Sequence, residues 1–259
     1  MPLRIVYASL WERYEGEALA AEFGKPSRKV QAGEIVESAA RRARKCRPEL
    51  EVAAEVVAEE PEYVLLRESR RATAVVVGTR GRSGLTEALL GSVSLTVAAQ
   101  AYCPVIVVRG GADRAEQTRR GRIVVGVGDD PKESPAVRFA YDEARLRGVS
   151  LDAVRAWRSP AHENTDHPLL VGGLAHPHES RAAQALEAVL HDAPDGIELH
   201  RHTVEGPARK VLSQASRRAD LLVVGAKRRH GHLGLQLGRV AHALLHLADC
   251  PVAVVPQAE

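Results

Sequence analysis

The chain has 259 residues, enough for one large domain or two ordinary ones, each with a real core. Apolar residues make up 45% and charged residues 27%, close to globular averages, which excludes wholesale disorder. A net charge of +3 and an aromatic content of only 3% give neither the basic field nor the stacking platforms that nucleic-acid binding needs.

Read from the N-terminus, the opening stretch "PLRIVYASLW" (2–11) has strand character and lacks the basic flank, long apolar run and cleavage site of a signal peptide. No apolar run reaches the roughly 18 to 20 residues of a membrane span, so a cytoplasmic protein without membrane association is expected. "RRARKCR" (41–47) is basic, but the acidic "ELEVAAEVVAEEPE" comes after it, which favours a solvated helix face over an RNA or membrane patch. The apolar "ATAVVVG" (72–78) then reads as a strand, and "GTRGRSGLTEALLGS" (78–92) leads from it to the helical "VSLTVAAQA" and the strand "PVIVV" (104–108). "RGGADRAEQTRRGR" (109–122) has linker composition.

The second half alternates strands and helices. "RIVVGVG" (122–128) reads as a strand and "SPAVRFAYDEARLRG" (134–148) as a helix stopped at Gly148. "SLDAVRAW" (150–157) is a strand, succeeded by a polar loop, the helix "ESRAAQALEAVLHD" (179–192) and the strand "IELHRHTV" (197–204). The order closes with the helix "PARKVLSQASRRA" (207–219), the strand "DLLVVGA" (220–226), the helix "RVAHALLHLA" (239–248) and the strand "CPVAVVP" (250–256). Such alternation predicts a parallel sheet covered by helices, with ligands beyond the carboxyl ends of its strands.

An internal repeat organises the chain. Residues 69–108 align without a gap on 216–255, an offset of 147, with 18 identities in 40 positions. This implies two copies of one domain, expected at 1–112 and 119–259. "PLRIVYASLW" matches "SLDAVRAW", the second strand of the unit, so the first copy lacks the counterpart of "RIVVGVGDDPKESPAVRFAYDEARLRGV": one strand and one helix. That strand would be central and its loss would leave two unpaired edges, so the biological start is expected upstream, with Met1 an internal methionine. Donation of the strand by another chain and remodelling of the first copy are the alternatives.

The glycine stretch admits two readings. Glycines at a strand-to-helix turn let backbone N–H groups approach a ligand, and Ser92 is expected to cap a helix whose N-terminus favours anions. Equally, Gly78 and Gly84 serve turns and Ser92 only caps. No Lys-Ser/Thr comes after the glycines, so this is not a P-loop.

The tandem copies, "GTRGRSGL", the spacing Gly78-x2-Gly81-x9-Gly91-Ser92 and the CPV before each last strand resemble the universal stress protein family. The resemblance implies two Rossmann-like parallel-sheet domains of the adenine nucleotide alpha hydrolase type, with strand order 3-2-1-4-5. It also implies ATP binding, with magnesium accompanying the nucleotide. Gly78 and Gly81 would admit ribose and phosphates, and Gly91 and Ser92 would hold phosphate oxygens. Family members dimerise through fifth strands, here 104–108 and 251–255, so an intramolecular pseudo-dimer is expected and a homodimer is possible. The second copy departs from the pattern, reading Gly225-x2-Arg228-x9-Gly238-Arg239. Its reading is a degenerate site, with an anion site on Lys227, Arg228 and Arg239 as the alternative. Gly128 stands where the family's adenine-recognising aspartate belongs, with Asp129 and Asp130 displaced beyond it.

Other constellations carry less. His162, His167, His176 and His178 share a polar loop and meet no fixed ligand motif, and His242 and His246 lack the Glu of HExxH. Cys46, Cys103 and Cys250 have no CxxC spacing, and the last two precede repeated prolines, which argues packing. The expected function is a stress-response regulatory module without catalytic residues, any ATP hydrolysis being slow and incidental. A nucleotide-free scaffold is the alternative, and a nucleotidyl or phosphoryl transferase is disfavoured.

Overall fold

The fold is that of a computed structural model, which describes residues 2–10, 28–79, 90–108, 120–128, 134–158, 175–227, 229–231 and 234–257. It forms two compact units, 1–68 and 69–259, a division at a different place from that of the repeat.

The first unit pairs β1 (Leu3–Ala8) in parallel with β2 (Val52–Val57), in register from Leu3↔Val52 to Ala8↔Val57. Helix α1 (Arg28–Cys46) packs on both strands. Its buried residues Ala32, Val36 and Ala40 recur every four positions, the spacing of one helix face. Helix α2 (Pro61–Glu68) buries Val64.

The second unit is built on one seven-stranded sheet. Its strands are β3 (Val75–Gly78), β4 (Val105–Val108), β5 (Arg122–Gly126), β6 (Ser150–Trp157), β7 (Leu199–Glu205), β8 (Leu221–Lys227) and β11 (Val252–Gln257), in the order β3-β4-β11-β8-β5-β6-β7. Helix α3 (Ser92–Gln100) joins β3 to β4, and α4 (Pro135–Arg147), α5 (Ala175–Val189), α6 (Ala208–Ser216) and α7 (Arg239–Leu247) connect the strands of the second copy. A small antiparallel hairpin, β9 (Arg229–Gly231) with β10 (Gly234–Gln236), was not foreseen from the sequence.

Counted from the β7 edge, the second copy's strands stand third, second, first, fourth and fifth, and all its pairings are parallel. The central strand β5 owes its place to an uninterrupted apolar run: Ile123, Val124 and Val125 are at most 1% exposed. Its odd-numbered residues join a core with Ala136, Val137 and Ala140 of α4, Leu151 and Ala153 of β6, Leu186 of α5 and Val223 of β8. Gly148 ends α4 in the left-handed conformation, φ +63°, which only glycine adopts without cost, as the sequence predicts. The sheet continues past the second copy because β4 lies antiparallel on β11, with Val105↔Val254 and Val107↔Val252.

The repeated Ser-Arg-Arg-Ala has a physical reason. Ser69 and Ser216 are both buried, and their Oγ atoms accept the backbone N–H of Tyr102 (3.1 Å) and of Asp249 (3.0 Å). Each serine thus anchors the turn into a last strand. The neighbouring arginines are also equivalent but meet different partners. Arg70 donates to the Tyr102 hydroxyl at 3.0 Å and stacks over its ring, while Arg217 faces the Asp249 carboxylate at 3.4 Å. Cys103 and Cys250, next in each turn, are buried.

Ser216→Ala leaves the part-buried Asp249 N–H without its acceptor and is expected to cost about 1 kcal/mol. Arg217→Ala removes an exposed pair and should cost under about 1 kcal/mol. Urea midpoints at constant m-value measure both. Burial pushes the Cys103 thiol up and the Cys250 thiol up to about 12. The folded chain therefore keeps the Cys250 proton that the unfolded chain releases above pH about 9. Stability falls as pH rises through that window, and Cys250→Ala should flatten the fall between pH 9 and 11 by about one proton in urea titrations.

Candidate functional site

The apolar run of β3 ends at Gly78, at the carboxyl end of the sheet where open α/β sheets hold ligands. The chain runs along β4 for one residue more, the N–H of Thr79 donating to the carbonyl of Val108 at 2.9 Å. Some dozen residues on, it is back at the same place. The N–H of Gly91 donates to the Thr79 carbonyl at 3.2 Å, and Ser94 Oγ donates to the Gly78 carbonyl at 2.6 Å. Two hydrogen bonds therefore tie the end of β3 to the start of α3.

Gly91 is the N-cap of α3, with φ −67° and ψ 151°, and no side chain caps the helix. Ser92, expected in that role, is instead the first helical residue and is exposed. The cap position is filled by the residue whose carbonyl accepts the first helical bond, and that is Gly91, bonded from the N–H of Leu95 at 3.1 Å. Because glycine has no side chain to offer, the first-turn N–H groups keep their positive end toward the turn without a capping side chain. A Cβ on Gly91 would meet only the Thr79 carbonyl oxygen, at 3.8 Å, so the space beside the helix start is open. Of the four motif residues, the structure brings Gly78, Gly91 and Ser92 to one turn, and Gly81 lies outside the described residues.

Ser94 was missed in the sequence, although the repeat held the signal. At the offset of 147 its counterpart is Ala241, and that of Thr79 is Ala226. The second copy therefore lacks the hydroxyl pin. Gly238 is the N-cap of α7, with φ −60° and ψ 147°, and the next residue, Arg239, is exposed. At Gly225 the space is taken: a Cβ there would lie 2.3 Å from Nε2 of Gln257, whose amide lies across the strand. Arg228 lies outside the described residues, and Lys227 ends β8. The backbone of β10 lies against α3, so this stretch of the second copy contacts the helix of the first copy's motif.

The end of β5 in the second copy also departs from the pattern that the resemblance implies. The carbonyl of Gly128 accepts a hydrogen bond from the guanidinium of Arg155, a β6 residue that is 9% exposed. A buried cation thus stands beside the place where the resemblance puts an aspartate, while Asp129 and Asp130 lie outside the described residues.

The histidines do not assemble a metal centre among the described residues, where no three His, Cys, Asp or Glu groups meet to hold an ion. His162 and His167 lie outside them, His176 and His178 fall on α5, and the rings of His242 and His246 lie 5.0 Å apart on α7. No sequence signal marked the buried Asp152 on β6, which accepts from Arg122 Nη1 at 2.8 Å and pairs with His200 Nδ1 at 2.9 Å. That cluster joins β5, β6 and β7. Among the described residues no helix is long and apolar enough to cross a membrane.

The family model described as "Universal stress protein family" matches residues 1–109 and 119–256. The chain belongs to the universal stress protein family. A universal stress protein of Mycobacterium tuberculosis is 36% identical over 210 residues, which cover 80% of this chain and 70% of that one. One of Mycolicibacterium smegmatis is 32% identical over 209 residues, covering 80% and 69%. Among solved structures, a universal stress protein from Archaeoglobus fulgidus superposes with a TM-score of 0.70 at 17% identity, covering 99% of this chain and 88% of that one. A universal stress protein homologue from Pseudomonas aeruginosa gives 0.61 at 17% identity, covering 98% and 82%. These structures share the α/β fold of this tandem member.

Ser94→Ala makes the first copy resemble the second at the pin. It is expected to lower stability by about 1–3 kcal/mol, because the Gly78 carbonyl loses its donor in a part-buried place. The reverse change, Ala241→Ser, should give less than half that effect. Chemical denaturation of the two variants checks the contrast.

Proposed function

We propose that this chain is a stress-response regulatory protein that holds ATP, with its accompanying magnesium, at the first copy's Gly78, Gly81, Gly91 and Ser92. The second copy is a degenerate partner that takes no nucleotide. The observation that supports this best is the tie between Gly78 and α3, which sets an uncapped helix N-terminus beside the end of a strand. Phosphate oxygens suit that place, because backbone N–H groups and the helix dipole both favour an anion there.

The ligand's triphosphate would take its hydrogen bonds from the first turn of α3, and the hydroxyl of Ser92 would add a donor. Nothing in the motif supplies a general base, so the reading is binding and regulation, with no dedicated catalysis. The two copies work as an intramolecular pair, a reading supported by the β4–β11 ladder, and the protein acts in the cytoplasm.

Gly91→Asp separates binding from folding. The Gly91 backbone lies in the extended region that any residue adopts, and aspartate is a preferred N-cap, so the helix should keep its stability or gain about a few tenths of a kcal/mol. Its carboxylate would take the N–H groups meant for phosphate and repel the anion. ATP affinity by calorimetry is expected to fall at least about tenfold with no loss of thermal stability. An unmutated protein that binds no ATP, and releases no nucleotide when denatured, overturns the reading and leaves a nucleotide-free scaffold.

A further inference from the structure

The backbone at the helix start is alike in the two copies. Gly91 caps α3 with φ −67° and ψ 151°, and Gly238 caps α7 with φ −60° and ψ 147°. Neither helix has a side-chain cap, so both leave first-turn N–H groups to an anion. A Cβ on Gly238 would meet nothing within 4 Å beyond its chain neighbours. Whatever distinguishes the second copy at this end of the sheet is therefore a matter of side chains.

The strand end is where one is found. Gly225 of β8 is the counterpart of Gly78, and the side chain of Gln257 lies along it. A Cβ on Gly225 would stand 2.3 Å from Nε2 of that glutamine, 2.7 Å from Cδ and 3.3 Å from Cγ. The register explains the contact. Val255 of β11 pairs with Gly225, and Gln257, two residues on, shares its face of the sheet. The amide thus fills the space that the missing Cβ leaves bare. Two residues past the aligned stretch, the same offset of 147 sets Gly110 against Gln257. The first copy has no side chain to lay in the equivalent place.

We propose that Gln257 is the specificity-determining residue that closes the second copy to nucleotide, resting on the reading that the first copy holds ATP at its glycines. A nucleotide seated on the second copy in the same way would bring its ribose and phosphates against Gly225. Glycine leaves room there for one close neighbour, and the chain's own amide already takes it. Being tethered, the amide is always at hand and competes as an intramolecular ligand. The arginines at 228 and 239 carry the charge that an anion prefers. What excludes the nucleotide is the filled space at the strand end.

Equilibrium dialysis of ATP and magnesium against the full chain counts the sites. The unmutated chain is expected to hold one ATP. Gln257→Ala removes the side chain from Cγ onward and keeps the strand's β-carbon. It should raise the count to two, the second copy gaining at least about tenfold in affinity. Gln257→Leu keeps the bulk and should leave the count at one. Circular dichroism checks the fold, and Gln257→Gly, the first copy's residue, is the second opening variant. A count of one with both Gln257→Ala and Gln257→Gly overturns the proposal and leaves the first copy's site standing. Two ATP on the unmutated chain overturns it as well, as does a count of two with Gln257→Leu. No ATP on the unmutated chain but one on Gln257→Ala supports the proposal and removes the first copy's site instead. No ATP on any of these chains overturns both.

Discussion

A strand in the interior of a sheet must find partners on both of its edges, and β5 is where this chain meets that demand. Its N–H and C=O groups are shared between β6 and β8, and its side chains are closed off by α4. Three main-chain N–H groups at its entry, those of Arg120, Gly121 and Arg122, converge on the carboxylate of Asp220 at 2.8 to 3.3 Å. That clamp fixes the start of β5 beside β8. Five strands of the second copy can form one sheet because β5 stands in the middle. The first copy's strands have no such member among the described residues, and they pair two by two, β1 with β2 and β3 with β4.

The offset of 147 then separates what serves folding from what serves the site. Positions that remain identical do structural work: the buried serines at the turns, the cysteine-proline entries to the last strands, and the glycine N-caps of α3 and α7. Where the partner of a repeated arginine changed, from Tyr102 to Asp249, the contact changed chemistry but stayed in place. The turn after β3 is among the places that differ. Gly81, Ser92, Thr79 and Ser94 become Arg228, Arg239, Ala226 and Ala241. The first copy's turn is thus the more polar of the two, with hydroxyls at Thr79, Ser92 and Ser94 where the second has Ala226, Arg239 and Ala241.

Periodicity made most of this fold legible. The apolar runs of β5, β8 and β11 and the helical spacing of α4 needed no tertiary information, and Gly148 announced the end of α4. The turn was legible to the level of residue type, since Gly78 and Gly91 do meet there. What failed was the assignment of roles within it. Composition suggested a serine cap, but a cap is defined by backbone geometry, and one residue of displacement makes Ser92 helical. Ser94 went unnoticed because its bond closes a gap of sixteen residues, which no local pattern records. Asp152 likewise sits in an apolar strand, and its partners come from two other strands.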